Sequence, residues 1–171
     1  MLDAMFFEQH QKEEVFEKIE TYISSFVRIG YKDMTRPWGG FLVIEEEDAE
    51  KFITQFFSHL TKDELSISGK LSPKILLVEP GKKLSWQYHH RRAEIWKLIS
   101  GRAGVIKSDD DKENEVIILE PGDLVELKQG ERHRLIGLDK WGIVAEIWRH
   151  TDIKNPSDED DIVRLQDDFG R

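Results

Sequence analysis

The 171-residue sequence contains no cysteine, which excludes disulfide bonds and thiolate metal ligands. Any metal ion bound by this chain must therefore be held by nitrogen and oxygen donors. Long hydrophobic runs are also missing, since no apolar stretch approaches the roughly 18 residues that a membrane-spanning helix requires. The amino-terminal segment has no basic leader before an apolar stretch, so no secretory signal is expected. These absences predict a cytoplasmic protein without a membrane partner.

Positive charge is scarce relative to negative charge, with 25 Lys and Arg against 34 Asp and Glu and a formal net charge of −9. Such an excess repels nucleic acid, and no stripe of basic residues offsets it, so nucleic acid is not an expected partner. The hydrophobic fraction of 39% and the charged fraction of 35% are typical of a globular protein. The length predicts one domain with its own core.

Two amphipathic segments are predicted in the first part of the chain. Apolar residues recur every three to four positions from about Phe6 to Phe26, which predicts a helix. A loop from Gly30 to Gly40 and a strand at Phe41–Ile44 follow, and Asp48 is placed to cap a second helix. The apolar face of that helix comprises Ala49, Phe52, Ile53, Phe56, Phe57 and Leu60.

From Lys74 onward, short β-rich runs alternate with turn signals. The runs are KILLVE, LSWQYH, EIWKLI, VIK, EVIILE, LVEL, RHRLIG and GIVAEIW. Strands this short and this regularly spaced favour a β-sandwich or barrel. The acidic segment SDDDKEN is typical of a solvated hairpin tip, and Asp158–Asp161 lacks the glycine and closing glutamate of a calcium-binding loop.

Two Pro-Gly turns open similar blocks that lead to metal-ligand candidates. Gln87 and His89 are two residues apart and therefore share one face of a strand. Glu94 follows the predicted turn HRRA, so a hairpin partner strand can bring its carboxylate alongside them. His133, in the second block, can supply a fourth donor from a remote strand, and together the four predict a metal site.

The same alternation predicts that Leu84, Trp86 and Tyr88 face away from Gln87 and His89. Large aromatic side chains outside a barrel need a cover. The amino-terminal helix, another sheet, local loops or a second subunit can supply it, and we expect a homodimer.

The glycine-spaced blocks resemble the two motifs of the cupin superfamily, with Gln87 where many cupins have a first histidine. Three segments, RPWGGF at 36–41, LSWQYHHRRAEIW at 84–96 and EDDIVRLQDDFGR at 159–171, look like the cupin domain of type II phosphomannose isomerases. That domain also forms the carboxyl-terminal part of bifunctional mannose-1-phosphate guanylyltransferase/phosphomannose isomerases, but no glycine-rich nucleotidyltransferase signature precedes it here. The resemblance implies a mainly β cupin (jelly-roll) double-stranded β-barrel over residues 36–171, with one inserted helix. Residues 1–35 are then an N-terminal helical extension.

The resemblance also implies metal-assisted interconversion of mannose 6-phosphate and fructose 6-phosphate through an enediol. The divalent ion is usually zinc, with manganese, cobalt, nickel or iron as alternatives. The metal positions of the family match Gln87, His89, Glu94 and His133. Arg92 matches an arginine beside the site that matters for isomerase activity, although a solvated turn arginine is the alternative. Glu146, which shares its side of the last strand with Val144 and Trp148, is a candidate base or a hydrogen-bond acceptor that orients its neighbours.

The phosphate of a phosphorylated sugar requires cations. Guanidinium groups bind phosphate bidentately, and ammonium groups bind it as point charges. Our candidates are Arg36, Lys74 and Arg164, each of which can equally be a salt-bridge residue. Trp96 is expected to pack in the core.

Four residues depart from the pattern of the family. Arg91 and Ile95 stand where histidine is usual, Lys128 replaces a proline, and Trp148 stands where glutamine is common. If the Trp148 indole points inward, it reshapes the sugar pocket. The alternatives are then another phosphorylated sugar, such as a heptose, or a cupin that binds a sugar or sugar nucleotide without turnover. The helix after Asp48 is either a lid or an addition without a role.

Two histidines and a carboxylate also suit an iron oxygenase. A fourth ligand at Gln87 and the arginines expected for phosphate argue against that class. A metal-free sugar-nucleotide epimerase is disfavoured because all four ligand positions hold competent donors.

Overall fold

The computed structural model describes residues 11–67 and 69–171. Its helices are α1 (Lys12–Ser24), α2 (Ala49–Phe56) and α3 (Lys62–Leu65), with a short 3-10 turn at Glu46–Asp48 before α2. The strands are β1 (Ile29–Asp33), β2 (Gly39–Ile44), β3 (Lys74–Val78), β4 (Trp86–Tyr88), β5 (Arg92–Ser108), β6 (Ile117–Leu119), β7 (Leu124–Leu127), β8 (Arg132–His150) and β9 (Val163–Gln166). The predicted start of the first helix, at Phe6, lies outside the described residues. No helix in the described part of the chain is long and apolar enough to cross a membrane.

The long strand β8 organises the sheet, because it pairs with β3, β4 and β5. The path of paired strands is β1-β2-β3-β8-β4-β9, and β6 and β7 join it through β5. Each of these pairs is antiparallel. The prediction of a mainly β fold is therefore confirmed, although the pairs among the described strands do not close into a ring.

Two pairs of predicted strands are each one continuous strand. EIWKLI and VIK join in β5 through Ser100, Gly101, Ala103 and Gly104, which stay paired with β8. RHRLIG and GIVAEIW likewise belong to the single strand β8. The pairing is irregular at Leu98/Ser100 and at Gly101/Ala103. Gly101 has a φ of 77°, and a Cβ there would lie 1.7 Å from the carbonyl oxygen of Trp141. Glycine is required at this bulge, so a local turn signal marks an irregular strand instead.

The helices α1 and α2 cover one face of the sheet. Phe16 and Ile19 of α1 and Phe52 of α2 are fully buried in one cluster with Ile75 of β3 and Ile143 of β8. Burying an apolar side chain of this size contributes about 1.5–3 kcal/mol. The face of α2 thus packs in the core, and none of its residues lines the candidate site. It is neither a lid nor an addition without a role.

The other face of the sheet forms a second apolar cluster, which includes Leu76, Trp96, Leu98 and Val144. Because neighbouring residues of β3 belong to different clusters, this strand is buried along its whole length. The second face carries the candidate site.

Three elements were not predicted: β1, which lies partly within the predicted loop, the short helix α3, and β9. Asp48 stands at the N-cap position of α2 but makes no capping hydrogen bond. Its carboxylate instead accepts hydrogen bonds from Arg28 and Lys51. The predicted division after residue 35 falls in the connection between β1 and β2 and stays a prediction.

The prediction for the strand around Gln87 is partly wrong. Leu84 lies before β4 and lines the same cavity as Gln87, because the strict alternation is confined to Trp86–Tyr88. Trp86 donates a hydrogen bond from Nε1 to the carbonyl oxygen of Asp111 (2.9 Å), and the guanidinium carbon of Arg132 lies 4.1 Å from the Tyr88 ring centroid. Local elements therefore cover both aromatic rings, and these residues give no argument for a second subunit.

Candidate metal centre

Cross-strand pairing assembles the floor of the site. Glu94 of β5 lies opposite Trp148 of β8, and two residues along β5, Trp96 lies opposite Glu146. Glu146 is also opposite Lys74 of β3. Directly opposed residues share a face with their Cβ atoms about 4.5–5.5 Å apart, so these five side chains form one contiguous surface.

Strand β4 brings further side chains to this surface. Gln87 lies opposite His133 of β8 on one side and opposite Arg164 of β9 on the other. His89 is the residue directly after the end of β4. The local spacing of the two predicted blocks and the pairing of β4 with β8 thus bring the four predicted ligand positions together.

The side chains of His89, Glu94 and His133 meet in a buried group. One donor atom of each lies within 4.8 Å of the others, and each residue is 2–3% exposed. His89 Nε2 lies 3.2 Å from Glu94 Oε1, and His133 Nε2 lies 3.4 Å from Glu94 Oε2. A group of two imidazoles and one carboxylate at this separation can hold a metal ion.

The hydrogen bonds of the outer ring nitrogens orient both imidazoles. His89 Nδ1 lies 2.7 Å from the carbonyl oxygen of Asp161, and His133 Nδ1 lies 3.0 Å from that of Glu131. A carbonyl oxygen only accepts hydrogen bonds, so Nδ1 carries the proton in each ring. The Nε2 lone pairs of both rings therefore point towards Glu94, as is usual for metal-binding histidines.

Two atoms of this group lack a conventional hydrogen bond. Glu94 Oε2 and His133 Nε2 are buried and have no hydrogen-bond partner among the described residues. Two unprotonated acceptors that face each other at 3.4 Å are unfavourable unless a cation lies between them. This arrangement fits a bound divalent ion.

The electrostatics agree with metal binding. Burial opposes ionisation of Glu94, but the charge of His89, whenever that ring is protonated, and the permanent charge of Arg92 hold the pKa of Glu94 well below its usual value. Burial lowers the pKa of His89. The carboxylate is therefore ionised and the imidazole neutral, which are the forms that coordinate metals. Nitrogen and oxygen donors of this kind suit zinc, iron or manganese, so the donor set does not select one metal.

Gln87 lies beside this group. Its Nε2 is 3.4 Å from His89 Nε2, and its Oε1 accepts a hydrogen bond from Ser85 Oγ at 2.5 Å. A hydroxyl group can donate or accept, so a half-turn of the carboxamide would direct its oxygen to the ligands and keep the bond to Ser85. The position is compatible with a fourth ligand, which stays a prediction.

The Arg92 guanidinium is 6% exposed, so Arg92 is not a solvated turn residue. Its Nε donates to Glu94 Oε1 at 2.8 Å, and its Nη2 lies 3.2 Å from His89 Nε2. Its Nη1 donates to Ser157 Oγ at 2.9 Å and to the carbonyl oxygen of Asp158 at 3.0 Å. Arg92 thus contacts two of the predicted metal ligands and is held by the segment that follows β8.

The Glu146 carboxylate is held by two indole groups. Trp96 Nε1 donates to Oε2 at 2.8 Å, and Trp148 Nε1 donates to Oε1 at 2.9 Å. Burial and the nearby charge of Glu94 raise the pKa of Glu146 to about 7. Trp96 was expected only to pack, but it also orients a carboxylate that changes protonation state near neutral pH.

The Trp148 indole points inward and lines the cavity. This is the orientation in which the indole is expected to reshape the sugar pocket. The guanidinium carbon of Arg92 lies 3.6 Å from a Trp148 ring centroid, and Lys74 Nζ lies 4.0 Å from one. Cations at these distances from an aromatic face are attracted to it. Trp148 therefore fills part of the pocket and holds two of its cations.

The cavity above the buried group has a volume of ≈ 390 Å³ and is lined by several cations. Arg36, Arg164 and Arg171 all line it. Burial and the charges of Arg171 and Arg36 lower the pKa of Arg164, while the charge of Asp167 opposes them. Lys74, the remaining phosphate candidate, is paired with Glu159. Arg171 was not predicted, although it ends a segment that carried the resemblance.

The connection between β8 and β9 supports the site and was missed as a functional element. The carboxylate of Asp161 accepts hydrogen bonds from the backbone N–H groups of His90 and Arg91 and from Ser157 Oγ, and its carbonyl group orients His89. Asp161 is buried for this reason. The acidic run at Asp158–Asp161 is thus part of the support of the His89, Glu94 and His133 group.

His150 ties the same connection to β8. The backbone N–H of Ser157 donates to His150 Nδ1 at 3.0 Å, so Nε2 carries the proton and donates to Ser72 Oγ at 3.1 Å. This tautomer cannot remove a proton from Ser72. The histidine is a structural link.

Protein stability is expected to fall as the pH is lowered from about 6.5 towards 4, partly because of His150. Burial, together with Lys70 and Arg92, lowers the pKa of His150 from 6.5 to about 4. The unfolded chain therefore binds more protons across this interval, so acid favours unfolding, and above it the contribution is fully present. Urea denaturation at several pH values should show a shallower decline for His150→Gln, which retains one donor and one acceptor. An equally steep decline in that variant would contradict the assignment.

A family model described as "Mannose-6-phosphate isomerase C-terminal" matches residues 50–167 of the chain. The "Xanthan biosynthesis protein XanB" of Xanthomonas campestris pv. campestris is 29% identical over 142 residues, which cover 82% of this chain and 24% of that protein. The "Alginate biosynthesis protein AlgA" of Pseudomonas aeruginosa is 36% identical over 64% of this chain and 21% of its own length. The "Mannose-1-phosphate guanylyltransferase ManC" of Salmonella typhimurium is 27% identical over 82% and 23%. The chain spans about a quarter of the length of these relatives.

Solved structures support the same fold. A variant of the oxalate decarboxylase of Bacillus subtilis matches with a TM-score of 0.54 and 15% identity over 79% of this chain and 30% of that chain. A DMSP lyase structure matches with a TM-score of 0.52 and 14% identity over 92% of this chain and 71% of that chain. At these identities the likeness concerns the fold alone, and it confirms the predicted cupin fold.

Proposed function

Because the chain belongs to the mannose-6-phosphate isomerase C-terminal family, we propose that it is a metal-dependent sugar-phosphate isomerase that interconverts mannose 6-phosphate and fructose 6-phosphate. The observation that carries the proposal is the buried group of His89, Glu94 and His133 beside Glu146, in a cavity that three arginines also line. The names of the relatives, which refer to xanthan, alginate and mannose 1-phosphate, support a phosphorylated sugar as the substrate and a role in polysaccharide biosynthesis.

In this proposal His89, Glu94 and His133 hold one divalent ion, with Gln87 as the fourth ligand. We propose zinc as this ion. Such an ion would polarise the carbonyl group and the adjacent hydroxyl group of an open-chain sugar. Arg92 places a fixed positive charge beside the same ligands, which stabilises negative charge that develops on the sugar oxygens.

Glu146 is our candidate for the base. Its carboxylate would remove the proton from C2 of the open-chain aldose and return it to C1, which gives an enediol between the two steps. A proton also passes from the C2 hydroxyl to the C1 oxygen, so the aldehyde becomes an alcohol and C2 becomes a ketone. The two indole hydrogen bonds fix the carboxylate, and a pKa of about 7 suits proton transfer in both directions.

We assign the sugar phosphate to Arg36, Arg164 and Arg171. Arg164 lies opposite Gln87 in the pairing of β4 with β9, so its Cβ is a direct neighbour of a predicted metal ligand. Partial burial and the charges of Arg171 and Arg36 make the Arg164 guanidinium receptive to an anion. The sugar would then extend from the arginines towards Glu94 and Glu146.

The inward position of Trp148 favours a second candidate function. Its indole takes up space beside Glu94 and holds Arg92 and Lys74. A pocket reshaped in this way favours another phosphorylated sugar, such as a heptose, or binding of a sugar or sugar nucleotide without turnover.

A coupled assay of the metal-loaded protein on a panel of aldose phosphates tests the proposal. We expect mannose 6-phosphate to yield fructose 6-phosphate, with solvent deuterium incorporated into the sugar, and a chelator to abolish both. Turnover of a different member would support the second sugar-phosphate candidate. Absence of turnover and of deuterium exchange with every member, at one metal ion per chain, would contradict an isomerase.

A further inference from the structure

The cations that line the cavity differ in how they are neutralised. Arg36 is paired with Asp33, and Arg171 with Asp167, both through carboxylates that do not line the cavity. Arg164 makes none of the hydrogen bonds or ion pairs found among residues 11–67 and 69–171. The arginine end of the cavity therefore keeps a positive charge to which an entering anion can bind.

Lys74 is neutralised from within the cavity. Its side chain is 6% exposed, and its ammonium group is paired with the carboxylate of Glu159, whose side chain is 59% exposed and also lines the cavity. The rings of Phe41 and Trp148 flank the ammonium, with centroids at 5.1 and 4.0 Å. An anion that approaches Lys74 thus meets the Glu159 carboxylate first.

The backbone around Glu159 is held in place. The Asp158 carboxylate accepts hydrogen bonds from the backbone N–H groups of Asp160 and Asp161, both at 3.1 Å. The Asp161 carboxylate is bound in turn by the backbone of His90 and Arg91. Glu159 is therefore presented to Lys74 by a turn anchored on both sides, and the pair needs little further ordering.

Lys74 is also a poor place for the phosphate of an isomerised sugar. It lies directly opposite Glu146 in the pairing of β3 with β8. A phosphate bound to Lys74 would bring the phosphorylated end of the sugar to Glu146, where the reacting carbons are required.

We infer that Glu159 is a specificity-determining residue: its carboxylate closes Lys74 to anions and so directs the phosphate of the substrate to Arg164 and its neighbours. The inference rests on the proposed function for the identity of the anion as a sugar phosphate. The selectivity itself concerns any small oxyanion, and inorganic phosphate is a suitable probe.

Calorimetric titration of the full chain with inorganic phosphate, at equal metal content in every variant, tests the inference. Glu159→Gln should bind phosphate about tenfold more tightly than the parent, because Lys74 becomes an available cation. Asp160→Asn is the matched control, since Asp160 also lines the cavity and loses the same charge but makes no ion pair with Lys74. Its affinity should change less than about twofold at physiological salt.

The double variant Glu159→Gln with Lys74→Met shows whether the gain depends on Lys74. It leaves no unpaired partner, and its affinity should return to that of the parent. The inference would be overturned if Asp160→Asn gained as much phosphate affinity as Glu159→Gln, or if the double variant kept the gain. It would also be overturned if Glu159→Gln bound phosphate no more tightly than the parent. Because no turnover is measured, a failed isomerase assay would count against the proposed function alone.

Discussion

Replacement of Glu94 by glutamine is expected to reduce metal affinity by at least about 100-fold and to abolish the proposed isomerase turnover. Loss of an outer residue that only orients a ligand costs 10–100-fold in affinity, and loss of the ligand itself should cost more. Glu94 is the only carboxylate in the His–Glu–His group of the described residues, and it faces both histidines. Metal content after dialysis against a chelator, and competition with a metal indicator, give the affinity.

Glu94→Gln also leaves the buried Arg92 guanidinium without its carboxylate partner, which destabilises a folded protein by about 3–5 kcal/mol. His133→Asn separates the two effects. An asparagine can still donate to the carbonyl oxygen of Glu131, but it lacks the Nε2 lone pair. Circular dichroism should show that this variant is folded, and the measurement of metal content should show that it holds no metal. A folded His133→Asn protein that binds metal as the parent does would contradict the assigned centre.

The proximity of the predicted ligand positions could be anticipated because its signals are local. Gln87 and His89 are two residues apart, and alternation along a strand places both on one side. Similarly, Val144, Glu146 and Trp148 were expected on one side of the last strand, and the structure brings them to the same face. The pairing that joins these local patterns required only that β4 and β5 meet β8.

The supporting residues were not predictable because their partners are remote in the sequence. Asp161 contacts His89 across 72 residues, and Ser157 contacts Arg92 across 65. Nothing in the local composition separates Asp161, which is buried, from the exposed Asp158 and Asp160. Its burial follows from the path of the connection between β8 and β9, which brings it under the backbone of His90 and Arg91.

The errors in strand boundaries have a related cause. The segment around Gly101 has the composition of a turn, but pairing with β8 keeps it in one strand with a bulge. Leu84 breaks the expected alternation because regular pairing begins only at Trp86. In β9, the alternating apolar pattern is weak. Val163 and Leu165 are its only apolar residues, and the first is partly exposed and the second exposed. Tertiary pairing decided each of these cases over local propensity.

Replacement of Glu146 by glutamine is expected to lower kcat about 10²–10⁴-fold while metal content stays at the parental level. The amide cannot take a proton, and its NH2 group would face one of the two indole N–H donors, so a stability loss of about 1–3 kcal/mol accompanies the kinetic effect. In the parent, kcat/KM should fall on the acid side of the pH profile, because the base must be ionised and burial raises its pKa above the ordinary value of a glutamate.

The two carboxylate variants control for each other, since both replace a buried carboxyl group of the same cavity by an amide. Glu94→Gln should lose metal and turnover together, whereas Glu146→Gln should keep the metal and lose the exchange of solvent deuterium into the sugar. Glu146→Asp retains a carboxylate and should recover part of kcat with the same acid limb in its pH profile. If Glu146→Gln turns over at the parental rate, the proton is carried by another group, and Glu146 serves only to accept the hydrogen bonds of Trp96 and Trp148.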